Sequence, residues 1–220
     1  MSLLDLRNDR KARSVAAFLV SLVILGVAAA SSSADFLHVS PTGSDTGNDC
    51  RFHPPERTPC ATIQHAVDEA GNYDWVSIDP GLYNEEVVVD KSGLTLIGDG
   101  GPGRPAVEQA VIDGGSGSAI TLEATKISLR QLKIVAGPAG TPIVASGADI
   151  NGLRAQENII SGGSPGVRLE ADGEDVSVGY NQIENAGDGI RVTGADLPDF
   201  TIRSNQFSTS IPSAPSAAGA

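Results

Sequence analysis

Arginine recurs in the second half of the chain: Arg168 and Arg191 stand at equivalent places in successive copies of a repeat, each two positions before Glu170 or Thr193. A guanidinium is a rigid fork of donors that matches a carboxylate, and it acts as a proton-abstracting base only in an unusual environment. These two are the candidate catalytic residues. Arg130 and Arg203 form a second set and, with Glu170 and Asp188, are the candidate ligand-binding residues. Asp172, Glu174 and Asp175 gather carboxylate oxygens in one short stretch, the donor type that calcium takes, and are the candidate metal ligands. No His lies beyond His65, which excludes imidazole acid–base chemistry from the repeats that follow. A His-Glu-x-x-His pair and a phosphate loop are both absent. The competing assignment for these charges is a solvated face on which they pair loosely along the repeat.

What would position them is that repeat. The pattern apolar-x-apolar-x-x-(Leu or Asn)-x-apolar occurs at Ile127, Leu129, Leu132, Ile134 and at Leu153, Ala155, Asn158, Ile160. It returns at Val176, Val178, Asn181, Ile183 and at Phe200, Ile202, Asn205, Phe207. The period is about 24 residues, within the range of solenoid repeats. Between the copies stands a second pair: Ile120 and Leu122, Ile143 and Ala145, Val167 and Leu169, Ile190 and Val192. Upstream, Ile78, Val87, Val89, Leu94 and Leu96 match Val111, Ile120, Leu122, Ile127 and Leu129 at one constant but longer offset, the extra residues being assigned to the loop around Gly100 to Pro105.

Alternation at period two in segments this short means strands, with Gly and Asp at the joints. Three short strands per coil cannot bury an inner face alone, whereas stacked coils share one core. The expected fold is all-β, a parallel β-helix of about five coils over 76–207, about 24 Å tall at about 4.8 Å per layer. A sandwich would not hold the spacing, and no Leu-x-x-Leu-x-Leu pattern appears. Asn158, Asn181 and Asn205 fall at one equivalent place, where Asn tolerates left-handed backbone and stacked amides can form an internal ladder.

The N-terminal segment reads as an address. Arg7, Arg10, Lys11 and Arg13 precede an apolar run from Val15 to Ala30, the pattern of a signal peptide over 1–34 cut between Ala30 and Asp35. An uncleaved anchor is the alternative, although the run falls short of the roughly 20 residues that a spanning helix needs. An exported chain makes a disulfide the default for Cys50 and Cys60; a metal site of these thiols with His53 lacks a fourth ligand. Ile63, Ala66, Val67 and Ala70 are spaced for an amphipathic helix begun by Thr62 or Cys60 and ended by Gly71, placed to cap the stack, with His65 on its solvated face. Residues 35–75 thus hold a strand, the disulfide loop and the capping helix.

With 15 Lys and Arg against 27 Asp and Glu the chain carries −12, which argues against nucleic acid as a partner. Losing the leader removes four positive and two negative charges and takes it to −14. After Phe207 comes a Ser/Pro/Ala tail, 208–220, expected to be disordered and too polar to cap anything, so the last coil offers an open edge for self-association or a partner.

Four further stretches belong together: Phe36-Leu-His-Val-Ser-Pro-Thr-Gly-Ser-Asp, Pro59-Cys-Ala-Thr-Ile-Gln, Asp79-Pro-Gly-Leu-Tyr-Asn-Glu-Glu-Val and Leu94-Thr-Leu-Ile-Gly-Asp-Gly100. In these the chain resembles secreted right-handed β-helix proteins of the pectin-lyase-like superfamily, and with the later coils the likeness spans Phe36 to Phe207. It implies a right-handed parallel β-helix, whereas fold alone assigns no chemistry. Gly81-Leu-Tyr83-Asn-Glu85 is similar to the Gly-x-Tyr-x-Glu segment of pectin methylesterases, but the Asp-bearing segments and the later Arg-Pro-Trp of those enzymes are missing, and Trp75 lies upstream. In lyases and epimerases of the resembled fold, a base removes the proton beside a uronate whose carboxylate is neutralised, often by calcium. Two functions are therefore expected: a secreted module that contacts polysaccharide or acts as a surface scaffold without turnover, or a calcium-dependent lyase or epimerase acting on an acidic glycan. A strongly anionic chain repels such a glycan unless bound calcium inverts the local sign.

Overall fold

The computed structural model describes residues 33–53, 56–99, 103, 108–147, 149–194 and 196–209. The leader, apart from residues 33 and 34, and the tail from 210 onward lie outside the described residues.

The described chain opens with β1 (Phe36–Val39), the hairpin β2 (Phe52–His53) and β3 (Glu56–Arg57), and one helix, α1 (Ile63–Glu69). Five complete turns follow: β4 (Trp75–Ile78), β5 (Gly81–Tyr83), β6 (Val87–Val89); β7 (Thr95–Gly98), β8 (Ala110–Asp113), β9 (Ser118–Leu122); β10 (Ser128–Arg130), β11 (Lys133–Ala136), β12 (Thr141–Ala145); β13 (Arg154–Gln156), β14 (Ile159–Gly162), β15 (Val167–Leu169); β16 (Ser177–Gly179), β17 (Gln182–Glu184), β18 (Ile190–Val192). A partial turn adds β19 (Thr201–Arg203) and β20 (Gln206–Ser208). Every third strand stacks in parallel, giving three sheets: β1-β4-β7-β10-β13-β16-β19, β5-β8-β11-β14-β17-β20 and β6-β9-β12-β15-β18. This is the β-solenoid expected from the repeat.

The apolar columns run up its interior. Ile120, Ile143, Val167 and Ile190 are partners in register, as are Leu96, Leu129, Ala155, Val178 and Ile202 in the first sheet. Each buried Leu or Ile contributes about 1.5–3 kcal/mol, and a slip of one residue would turn the whole set outward, so the alternation fixes register. The early offset differs from expectation in one place. Val87 and Val89 pair with Ile120 and Leu122 as that offset requires, but Leu82 rather than Ile78 pairs with Val111. The added length is therefore divided, most of it before β8 and the rest between β8 and β9.

The Asn column is an internal ladder, as expected, but it does not supply the left-handed backbone. Positive φ belongs to the residues just before it: Gln131, Glu157, Tyr180 and Ser204, at 54° to 59°. Each lets the chain turn sharply, so that the following Leu132, Asn158, Asn181 or Asn205 points inward.

The two ends of the stack differ. At the first, α1 buries Ile63, Ala66 and Val67 against the core, with Thr62 as N-cap and Ala70, rather than Gly71, as C-cap. The free edge of β6 is met by one side chain: Gln64 accepts from the Val88 N–H at 2.7 Å and donates to the Val88 carbonyl at 3.4 Å. The free edge of β1 is covered by the disulfide loop, where His38 N–H donates to Cys50 O, and Cys60 N–H to His38 O, both at 2.9 Å. His65 is not simply solvated: its Nε2 lies 2.8 Å from the Asn48 carbonyl, fastening that loop to the helix. At the other end, Ile202 and Phe207 occupy columns that are buried in earlier turns, yet they are 48% and 59% exposed. Among the described residues this end is open. No described helix is long and apolar enough to cross a membrane.

Candidate functional site

The nominated arginines fall on two faces. Arg168 and Arg191 are stacked partners on β15 and β18 of the third sheet, one turn apart. Arg130 and Arg203 share an outward row of the first sheet, with Gln156 and Gly179 between them. Three layers separate that second pair, about 14 Å, so they cannot grip one sugar unit together.

Each arginine is also engaged by a close neighbour. Arg168 Nε lies 3.2 Å from Glu170 Oε1, near enough for ion pairing though not aligned as a hydrogen bond. Arg191 donates from Nε to Asp188 Oδ2 at 3.0 Å, Arg130 lies 3.5 Å from Glu157, and Arg203 stacks over the Tyr180 ring at 5.2 Å.

Asp172 and Glu174 share a shallow depression of about 260 Å³ with Asp149, Asn151 and Asp196. Its groups are turned toward one another: Asp172 Oδ1 accepts from the Asp196 N–H at 2.9 Å, and Asn151 Oδ1 accepts from the Glu174 N–H at 2.5 Å. Asp175 is a left-handed turn residue, φ 54°, ion-paired with Arg154. Cys50 and Cys60 are buried and joined, as expected. Together with His65 they form the one three-membered grouping of ligand-type atoms among the described residues, within 4.8 Å of one another, and the bond between the sulfurs removes the thiolates that a metal needs.

The Gly81-x-Tyr83-x-Glu85 segment is wholly employed in the fold. A Cβ on Gly81 would strike Pro41 Cγ at 2.2 Å. Tyr83 is 4% exposed and donates to the Asp79 carbonyl at 2.9 Å; burial, with the nearby Asp79 and Glu85 carboxylates, pushes its pKa up and keeps it a donor. Glu85 caps the start of α1, each carboxylate oxygen accepting one N–H, from Ile63 and Gln64, both at 2.9 Å. Asp45 closes the same terminus by accepting from the Ala61 and Thr62 N–H groups and the Thr62 hydroxyl. Burial raises the Asp45 carboxyl, yet these hydrogen bonds and His65 together hold it below the ordinary carboxylate value. Glu85→Ala should therefore lower stability by about 1–2 kcal/mol, the usual worth of a lost cap. A thermal melt unchanged from wild type would refute the capping role.

The site that the sequence pattern missed lies at the closed end. β1 stacks on β4, which puts His38 on the outward row that continues through Ser77, Ile97 and Arg130. The exclusion of imidazole therefore holds for the later coils but not for this layer. His38 Nε2 donates to Asp79 Oδ1 at 2.9 Å, whereas Nδ1 is shielded and has no partner. A groove of about 660 Å³ runs here, between the outer face of the first sheet and the disulfide loop, lined by Phe36, His38, Arg51, Thr58, Ser77, Asp79 and Asp99. Phe36, 64% exposed, leans on Trp75 with ring centroids 6.0 Å apart. The signal available in the sequence was the pair Phe36-x-His38 followed by Trp75-x-Ser77-x-Asp79, an outward alternation in register one turn on.

No protein-family model matches the chain, and no curated protein matches it. Among solved structures it is similar to pectin methylesterase PemA from Erwinia chrysanthemi, at 17% identity over 80% of this chain and 67% of that one, with a TM-score of 0.47. It is also similar to two pectin methylesterase structures in complex with hexasaccharides, at 16% identity over 81% of this chain and 67% of theirs, with TM-scores of 0.40 and 0.41. The stacked parallel sheets of the chain itself are the β-helix that the resemblance to the pectin-lyase-like superfamily implies.

Proposed function

We propose that the chain is an extracytoplasmic β-helix module that contacts carbohydrate without turning it over. The observation that carries this reading is the employment of the outward arginines: each is held by a carboxylate or an aromatic ring of its own or an adjacent coil, and such a group can contact a ligand's hydroxyls without taking a proton. The disulfide and the basic-then-apolar leader support export, with cleavage between Ala30 and Asp35. A calcium-dependent lyase or epimerase is the second reading, favoured by the depression that holds Asp149, Asp172, Glu174 and Asp196 on one side of the stack.

The two readings part in one assay. Purified protein incubated with polygalacturonate or alginate, with and without calcium, should produce no new absorbance from unsaturated uronate and no change in uronate stereochemistry. Calcium-dependent turnover that disappears in Arg168→Ala or Arg191→Ala would replace the first reading with the second.

A further inference from the structure

We propose that the groove at the closed end of the stack binds a neutral oligosaccharide, seated on Phe36 and Trp75 and held at its hydroxyls by Asp79 and Asp99. The proposal deepens the carbohydrate reading and rests on it. A pyranose ring has an apolar C–H face and a hydroxyl edge. The groove offers the matching pair: a large exposed ring at Phe36 braced by Trp75, with the carboxylates of Asp79 and Asp99 just past the ends of β4 and β7. An aromatic ring left open to water at the start of a strand contributes nothing to the core, and covering it with an apolar ligand face is favourable.

Charge selects the ligand. Asp79 and Asp99 both line the groove, while its cation, Arg51, is occupied by Asp35 at 2.9 Å and by the Glu69 carbonyl at 2.9 Å. The surplus of carboxylate repels uronates and accepts hydrogen bonds from sugar hydroxyls.

His38 acts as the positioning residue. Its single bond fixes Asp79 Oδ1, and Asp79 Oδ2 takes no hydrogen bond among the described groups. An imidazole that leaves Nδ1 buried and unpaired costs stability that an apolar side chain would not, the mark of a residue retained for what its other nitrogen orients. From the groove, the outward row runs on toward Arg130 and Arg203 over six layers, about 29 Å, enough for a chain of several sugars.

Trp75 is the sole tryptophan and its ring lies against Phe36 of the groove, so its emission reports on a ligand bound there. The full chain would be titrated with cellohexaose, laminarihexaose, mannohexaose and, as the acidic control, hexagalacturonate, while calorimetry reads total binding. At least one neutral hexamer should change Trp75 emission saturably and hexagalacturonate should not. Phe36→Ala and Asp79→Asn should each weaken that binding at least tenfold, and His38→Gln should weaken it through Asp79. Phe36→Ala removes an exposed ring and keeps the fold, which a thermal melt verifies for all three variants. Calorimetric binding of a neutral hexamer that leaves Trp75 silent and is indifferent to these variants would overturn the groove but keep the carbohydrate reading. A Trp75 response to hexagalacturonate would overturn the choice of a neutral ligand, and binding of none of the four would overturn both.

Discussion

Asn181→Ala is expected to lower the unfolding free energy by about 3–5 kcal/mol, a large share of the roughly 5–15 kcal/mol that holds a domain folded. Asn181 is 1% exposed, and its amide makes four hydrogen bonds at once. Oδ1 accepts from the Asn158 N–H at 3.0 Å and from Asn158 Nδ2 at 3.1 Å, while Nδ2 donates to the Ala155 carbonyl at 2.9 Å and to Asn205 Oδ1 at 3.0 Å. Alanine strands these buried groups, each at about 1–3 kcal/mol, and leaves a void that water cannot fill well. Asn205 makes the same bond pattern one turn on, donating to the Val178 carbonyl at 2.9 Å, but it stands at the open end where water can replace it. Asn205→Ala should therefore cost about 1 kcal/mol or less. Urea denaturation of the two variants side by side decides the matter: equal midpoints would show that the ladder is not a buried, cooperative support.

That contrast also explains what could be read before any coordinates. The inward columns were legible because Ile120, Ile143, Val167 and Ile190 obey one spacing, and stacking is the arrangement that buries them all. The Asn column was legible for the same reason, since its members recur with the apolar pattern. The left-handed residues were not, because Gln131, Glu157, Tyr180 and Ser204 have no side-chain chemistry in common; what they share is a place in the turn. Nor was the groove. It depends on β1 joining the stack as an extra layer, which brings His38 against Asp79 from 41 positions away, and no local periodicity announces a pairing made once. The roles of Gln64 and Glu85 were hidden likewise, because each serves backbone groups remote from it in sequence. The nominated Arg and Asp sites followed the opposite course: their spacing was visible, and Arg168 and Arg191 turn to the nearby Glu170 and Asp188, but the partners of Arg130, Arg203 and Asp175 come from adjacent coils.

Removing the disulfide with the double change Cys50→Ser and Cys60→Ser should cost about 3 kcal/mol, the loop-closure entropy expected for a bridge with a sequence separation of 10. For a domain of this size that is a fall of about 6–12 °C in melting temperature. The loss should not stop at stability. Cys50 and Cys60 bracket the segment that pairs with the free edge of β1, through the bonds of His38 N–H to Cys50 O and of Ser40 N–H to Cys60 O, both at 2.9 Å. Loosening that segment lets water reach the β1 edge and moves Arg51 and Thr58, which form the outer wall of the groove. Hydrogen exchange should therefore accelerate first at His38 and Ser40, while the amides of β10 to β15 stay protected, since their partners lie within the stack. A reduced or Ser-substituted chain with an unchanged melt and unchanged exchange at His38 would mean that the stack alone holds β1, and that the loop only lies upon it.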